Sequence, residues 1–74
     1  MSDSTIYRIQ AYNEQAIYAY GTKAQAIAYS DYLDARRTIN LHGVYETTAA
    51  EQAAHADDCV ILDDELAIRD AGEP

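Results

Sequence analysis

Two β-branched, tyrosine-bearing runs stand close together near the start of the chain, and nothing else in the sequence narrows the fold as much. Thr5 to Tyr12 reads Thr-Ile-Tyr-Arg-Ile-Gln-Ala-Tyr, and Ala16 to Tyr20 reads Ala-Ile-Tyr-Ala-Tyr. Near-alternation of apolar and polar residues with this composition reads as strand. Asn13-Glu14-Gln15 supplies a turn between the runs, so the pair is predicted to close a β-hairpin. The strand period of two places Tyr7 on one face with Ile9, and Tyr18 on one face with Tyr20.

Past the hairpin the chain turns helical in character. Gly21 breaks the second strand, and Thr22 with Gln25 three residues later forms a capping-box pattern. The alanine-rich stretch Lys23 to Arg36 suits a helix, with Ala26, Tyr29 and Leu33 on one stripe and Ser30 beside them. Arg36 and Arg37 fit its C-terminal dipole. Thr38 to Glu46 reads as a third strand, with Asn40, His42 and Glu46 facing outward and Gly43 marking a bulge or a close backbone approach. Thr48 and Glu51 form a second capping box, opening a short helix Ala49 to Ala56. Cys59 to Leu62 reads as a fourth, edge strand. Asp63 caps a final helical turn through Ile68 or continues an extended segment, and Asp70 to Pro74 reads as a loose tail. The predicted order is ββαβα: an α+β fold with a small antiparallel sheet of three to four strands and helices packed on one face.

With 74 residues the chain makes one domain, 1–74. A chain of this length buries only about 60% of its unfolded surface, so the core is thin and self-association would help it. Seven Tyr are the only aromatics, since Phe and Trp are absent. Tyr29 and some of the others must therefore build the core, leaving exposed members among Tyr12, Tyr18, Tyr20 and Tyr32. The single Cys59 excludes an intramolecular disulfide scaffold. In an apolar run it reads as a small buried hydrophobe. The polar start of the chain and the lack of a long apolar stretch predict a cytoplasmic protein without a membrane anchor.

Net charge is −8, and its distribution is uneven. Residues 1–45 carry four acids and four bases; residues 46–74 carry nine acids against Arg69 alone. Such a surface repels nucleic acid and anionic membranes and attracts cationic proteins; it also serves solubility. No catalytic constellation stands out. Glycines are not clustered into a phosphate loop, no serine sits in a nucleophile elbow, and His42 and His55 match no zinc spacing. The expectation is a binding protein that is not an enzyme and takes no cofactor or metal. Asp57-Asp58 and Asp63-Asp64-Glu65 bracket the apolar run at its two ends, roughly 15 Å apart at ~3.3 Å per residue. Carboxylates so placed could stand in for phosphates. They could equally protect a hydrophobic edge strand from aggregation.

In size, charge and economy the chain resembles the small acidic proteins that phages and mobile elements encode against host defence, notably anti-CRISPR proteins and other DNA mimics. The resemblance spans the whole chain and rests on no motif. It implies a mechanism: an acidic face occupies the cationic channel of a CRISPR surveillance complex, or another basic protein or ribonucleoprotein, and blocks target DNA. Asp57, Asp58, Asp63, Asp64 and Glu65 would form that face, with Glu46, Glu51 and Asp70 in support and Tyr18 and Tyr20 as aromatic contacts. The alternative is an interaction module or homodimer that uses the tyrosines of the hairpin.

Overall fold

A computed structural model describes residues 4–72, with side chains described through Arg69. Its elements run β1 (Thr5–Gln10), β2 (Ile17–Gly21), α1 (Lys23–Leu33), β3 (Gly43–Glu46), α2 (Ala49–His55), β4 (Val60–Ile61) and α3 (Leu62–Gly72). The sheet order is β3-β1-β2-β4, and the class is α+β, as the sequence predicts.

The β1–β2 hairpin is antiparallel, with Tyr7 opposite Ala19, Arg8 opposite Tyr18 and Ile9 opposite Ile17. Asn13 in its loop has φ 61°, a left-handed conformation that asparagine tolerates better than most residues. β3 pairs antiparallel with the free edge of β1, Ile9 facing Val44. β4 pairs with β2 in parallel, Ala19 beside Val60 and Tyr20 beside Ile61. The sheet is therefore mixed, where the hairpin alone suggested a wholly antiparallel one. The reason is connectivity: β3 and β4 both run in the direction of β2, and a helical crossover leads into each.

That connectivity also divides the helices. α1 carries the chain from β2 across β1 to β3, and α2 carries it back across both hairpin strands to β4. The two crossings go in opposite lateral directions, so a common crossover hand requires opposite faces of the sheet. α1, together with α3, packs on the Tyr7–Ile9 face. α2 lies over the Arg8–Tyr18 face.

The core forms between the first face and its two helices. Ile9, Ala19, Ala26 and Leu62 are fully buried, with Tyr7 and Tyr29 nearly so. Ile17, Leu33, Val44, Val60 and Leu66 pack around them. The stripe expected on α1 thus faces inward. Ile9 and Leu62 are the only large side chains that are fully enclosed among the described residues. The total surface of 5260 Å² exceeds the roughly 4,500 Å² expected of a chain this size. Gly21 admits Leu62 to the sheet. A Cβ there would lie 2.8 Å from the Leu62 Cβ and Cδ1 atoms and 2.6 Å from Gln25 Oε1.

Both capping boxes form. The Thr22 hydroxyl accepts from the Gln25 N–H and Gln25 Oε1 accepts from the Thr22 N–H; Thr48 and Glu51 repeat the arrangement.

Other boundaries differ from the sequence reading. α1 stops at Leu33, one turn early: Asp34 caps it, its N–H still bonded to Ser30 O, the chain then tightens into a turn, and the Asp34 carboxylate accepts from the His42 N–H at 2.9 Å. The His42 ring reaches the same carboxylate at 2.6 Å, so His42 is folded inward and β3 begins only at Gly43. Arg36 and Arg37 consequently stand beyond the helix and do not serve its last turn. Arg37 forms a two-pronged pair with Glu14 instead. β4 shrinks to two residues and leaves Cys59 half-buried. The last helix runs to Gly72, so residues 70–72, read as tail, continue α3; Glu73 and Pro74 lie outside the described residues.

Candidate functional site

The ten residues expected to meet a partner divide into three groups. The first surrounds β4. Asp57 and Asp58 stand in the turn that ends α2, and Asp63, Asp64 and Glu65 make up the first turn of α3. The four aspartates are exposed. Asp58 lies beside Ile17 at the start of β2 and Asp63 against Gln25 just past its end, so the two acidic clusters flank the two-residue β4 along one sheet edge, the acidic corner of the molecule.

Partners inside the chain account for part of this charge. Asp63 accepts from the Gln25 side-chain amide, which ties the start of α3 to the start of α1. Asp58 lies 3.2 Å from His55 Nδ1. Glu65 pairs with Arg69 one turn later at 3.7 Å. Asp57 and Asp64 have no hydrogen-bonded or ionic partner among the described residues. Carboxylates in the first turn of α3 also complement its dipole, so Asp63, Asp64 and Glu65 have a structural use as well as a surface.

Arg69, the one base of the acidic half, pairs with Glu65 and lies over α1. Its guanidinium lies 3.9 Å from the Tyr32 ring centroid and 5.5 Å from that of Tyr29. That stacking clasps α3 to α1, and of the acidic residues around β4 Arg69 pairs only with Glu65.

The second group is not free surface. Tyr18 and Glu51 belong to a network under α2. The Tyr18 hydroxyl donates to Glu51 Oε2 at 3.1 Å, and Arg8 Nη1 lies 3.4 Å from the same oxygen. The Tyr18 ring stacks on His55 with centroids 3.7 Å apart and planes 8° from parallel. Glu51 is held below its ordinary pKa, first by the Thr48 N–H, with Tyr18 and the Arg8 charge adding to that against the cost of desolvation. Tyr18 is held above its own, first by desolvation and then by the carboxylate it donates to. These side chains fasten α2 to the sheet. Tyr18 and Glu51, expected as partner contacts, are half-buried and bonded to each other within the chain. The sequence hinted at half of this, because a capping-box glutamate has a fixed position; the helix's seat over Arg8 and Tyr18 is a tertiary fact.

The third group is scattered. Glu46 is exposed on β3, at the opposite sheet edge from the acidic corner. Tyr20 is 44% exposed and sits beside Ile61 in the row Ile6–Tyr20–Ile61. With Ala53, Ala56 and Cys59 that row lines an apolar groove between α2 and the sheet. Tyr20 therefore adjoins the acidic residues after β4, and Tyr18, half-buried, lines a surface depression with His55 and Asp58 before it. Asp70 lies on α3, and its side chain is outside the described residues. Within the described residues no cluster of three or more His, Cys, Asp or Glu is placed to hold a metal ion. No described helix is long and apolar enough to cross a membrane. No protein-family model matches the chain, and comparison with curated proteins finds no match.

Proposed function

We propose that this is a binding protein and not a catalyst, acting in the cytoplasm, whose acidic corner engages the cationic surface of a nucleic-acid-handling protein. The observation that carries the reading is that Asp57, Asp58, Asp63 and Asp64 are all exposed before and after β4 along one sheet edge, while Arg69, the one base of this half, pairs with Glu65 and stacks on Tyr32. Tyr20 and Ile61, both partly exposed beside that corner, supply apolar contact. Charge complementarity mainly speeds encounter, and buried aromatic or aliphatic anchors hold a complex. In the form suggested by the anti-CRISPR resemblance, the partner is a CRISPR surveillance complex and the bound corner excludes target DNA.

The test is binding of purified CRISPR surveillance complexes to the immobilised protein at low and high salt, with target DNA as competitor. The wild-type chain is expected to bind at low salt, to be displaced by DNA and to release at high salt. Asp57→Asn, Asp58→Asn, Asp63→Asn and Asp64→Asn combined are expected to lower affinity at least about tenfold, equivalent to ~1.4 kcal/mol. Salt-insensitive binding, or full affinity in the fourfold variant, would overturn the reading.

A further inference from the structure

We propose that β3 is a self-association edge, through which two copies of this chain join their sheets antiparallel about a two-fold axis. The sheet has two open edges, and their chemistry differs. β4 offers two residues with exposed aspartates before and after it, so two copies meeting there would set like charges together. β3 offers four residues and pairs only with β1 on its inner side.

The sheet face at the start of β3 is also where large apolar side chains are left in water. Tyr12, Leu41 and Tyr45 share one surface depression beside Arg8 and Gln10. They are 79%, 55% and 47% exposed, and Ile39, two residues before Leu41, is 72% exposed. An aromatic side chain carries ~150–250 Å², so the exposed parts of the two tyrosines present roughly 250 Å² per copy, and Leu41 and Ile39 add to it. The edge backbone and its polar neighbours extend this toward the ~800 Å² per partner of a stable interface.

Charge fits the same pairing. Glu46 ends β3, and Arg36 stands on the turn next to Asp34, which holds the residue just before β3 through the His42 N–H. Both are exposed, and neither has an ion-pair partner among the described residues. Antiparallel pairing turns the Glu46 end of one strand toward the Arg36 corner of the other copy, and the two-fold axis repeats the contact. The inference is independent of the acidic corner, which such a dimer would display at both of its outer ends.

Sedimentation equilibrium on the full chain tests it. The expected mass is about twice 8.2 kDa at micromolar concentration. Ile39→Asp with Leu41→Asp is expected to give monomer with an unchanged circular dichroism spectrum, whereas Ile61→Lys, on the β4 edge, leaves the dimer intact. Glu46→Arg is expected to weaken association at least about tenfold, and adding Arg36→Glu in the same chain to restore it. A wild-type chain that stays monomeric at high micromolar concentration overturns the proposal. So does a dimer that survives Ile39→Asp with Leu41→Asp, or one that Ile61→Lys abolishes. Failure of Arg36→Glu to rescue Glu46→Arg overturns the antiparallel pairing.

Discussion

Two glycines show how much a missing side chain decides here. Gly21 lies where β2 meets the fully buried Leu62, and a methyl group there would meet Leu62 carbons at 2.8 Å. Overpacking of this kind costs about 1–3 kcal/mol. Gly21→Ala is therefore expected to lower the unfolding free energy in urea by that much, with the slope of the transition unchanged. Gly43 is a milder case: its added Cβ would meet only the far end of the Tyr45 ring, which can swing aside. What approaches Gly43 is the side chain of Tyr45, its strand neighbour two residues on, and not the bulge or close backbone approach read from the sequence. His42 shows the opposite outcome. Alternation along the strand placed it outward, but Asp34 takes both its backbone N–H and its ring, and a side chain with two strong bonds inward has no reason to face water.

Among the elements, α2 depends most on polar contacts. It has seven residues, and none of them is buried. A helix so short is unstable in isolation, so its capping box and its contacts with Tyr18 and Arg8 must hold it. Thr48→Ala removes the cap, worth about 1 kcal/mol. Amide exchange at Gln52 to His55 is expected to quicken about fivefold, and the upfield ring-current shifts of the stacked Tyr18 and His55 protons to diminish. Unchanged exchange would mean that the sheet contacts alone secure the helix. α3 is held differently. Leu62 roots it in the core, Gln25 binds Asp63, and Arg69 lies across two tyrosines of α1. Its full length was not legible because its fastenings are to residues some 40 positions earlier, which no local propensity registers.

The whole molecule carries a large acid excess with a few carboxylates committed to internal bonds. Glu14 is held below its ordinary pKa first by its hydrogen bonds from Arg37. For Asp34, desolvation acts to raise the pKa, but the bonds from His42 outweigh it and the net shift is downward. Glu51 is lowered chiefly by the Thr48 N–H. A carboxylate with a depressed folded pKa contributes stability above its unfolded value, near pH 4, and that contribution is lost as pH falls through the folded value. Stability from these three groups is expected to decline from about pH 4 downward. Asp34→Asn should flatten that decline in urea titrations taken at successive pH values, measured against the wild-type chain so that general relief of acid repulsion cancels. An unaltered acid profile would show that the His42 contact does not stabilise the fold.

Features that depend on neighbours along the chain were legible in the residue pattern alone. The hairpin comes from two alternating runs around Asn13, the helix starts from Thr22 and Thr48, and the inward stripe of α1 from Ala26, Tyr29 and Leu33. The acid excess of the last 29 residues was equally plain. Folding in three dimensions had to settle that β4 lies parallel to β2, that α2 crosses the second face, and that Tyr18 and Glu51 are spent in holding it there. The difference is one of range. Hydrogen-bonded turns, caps and periodic burial act over one to four residues and leave a mark in the local pattern. Crossover hand, sheet edge and the pairing of Arg8 with Glu51 or Gln25 with Asp63 act between residues about 40 positions apart, where the pattern of either segment alone carries no record of the other.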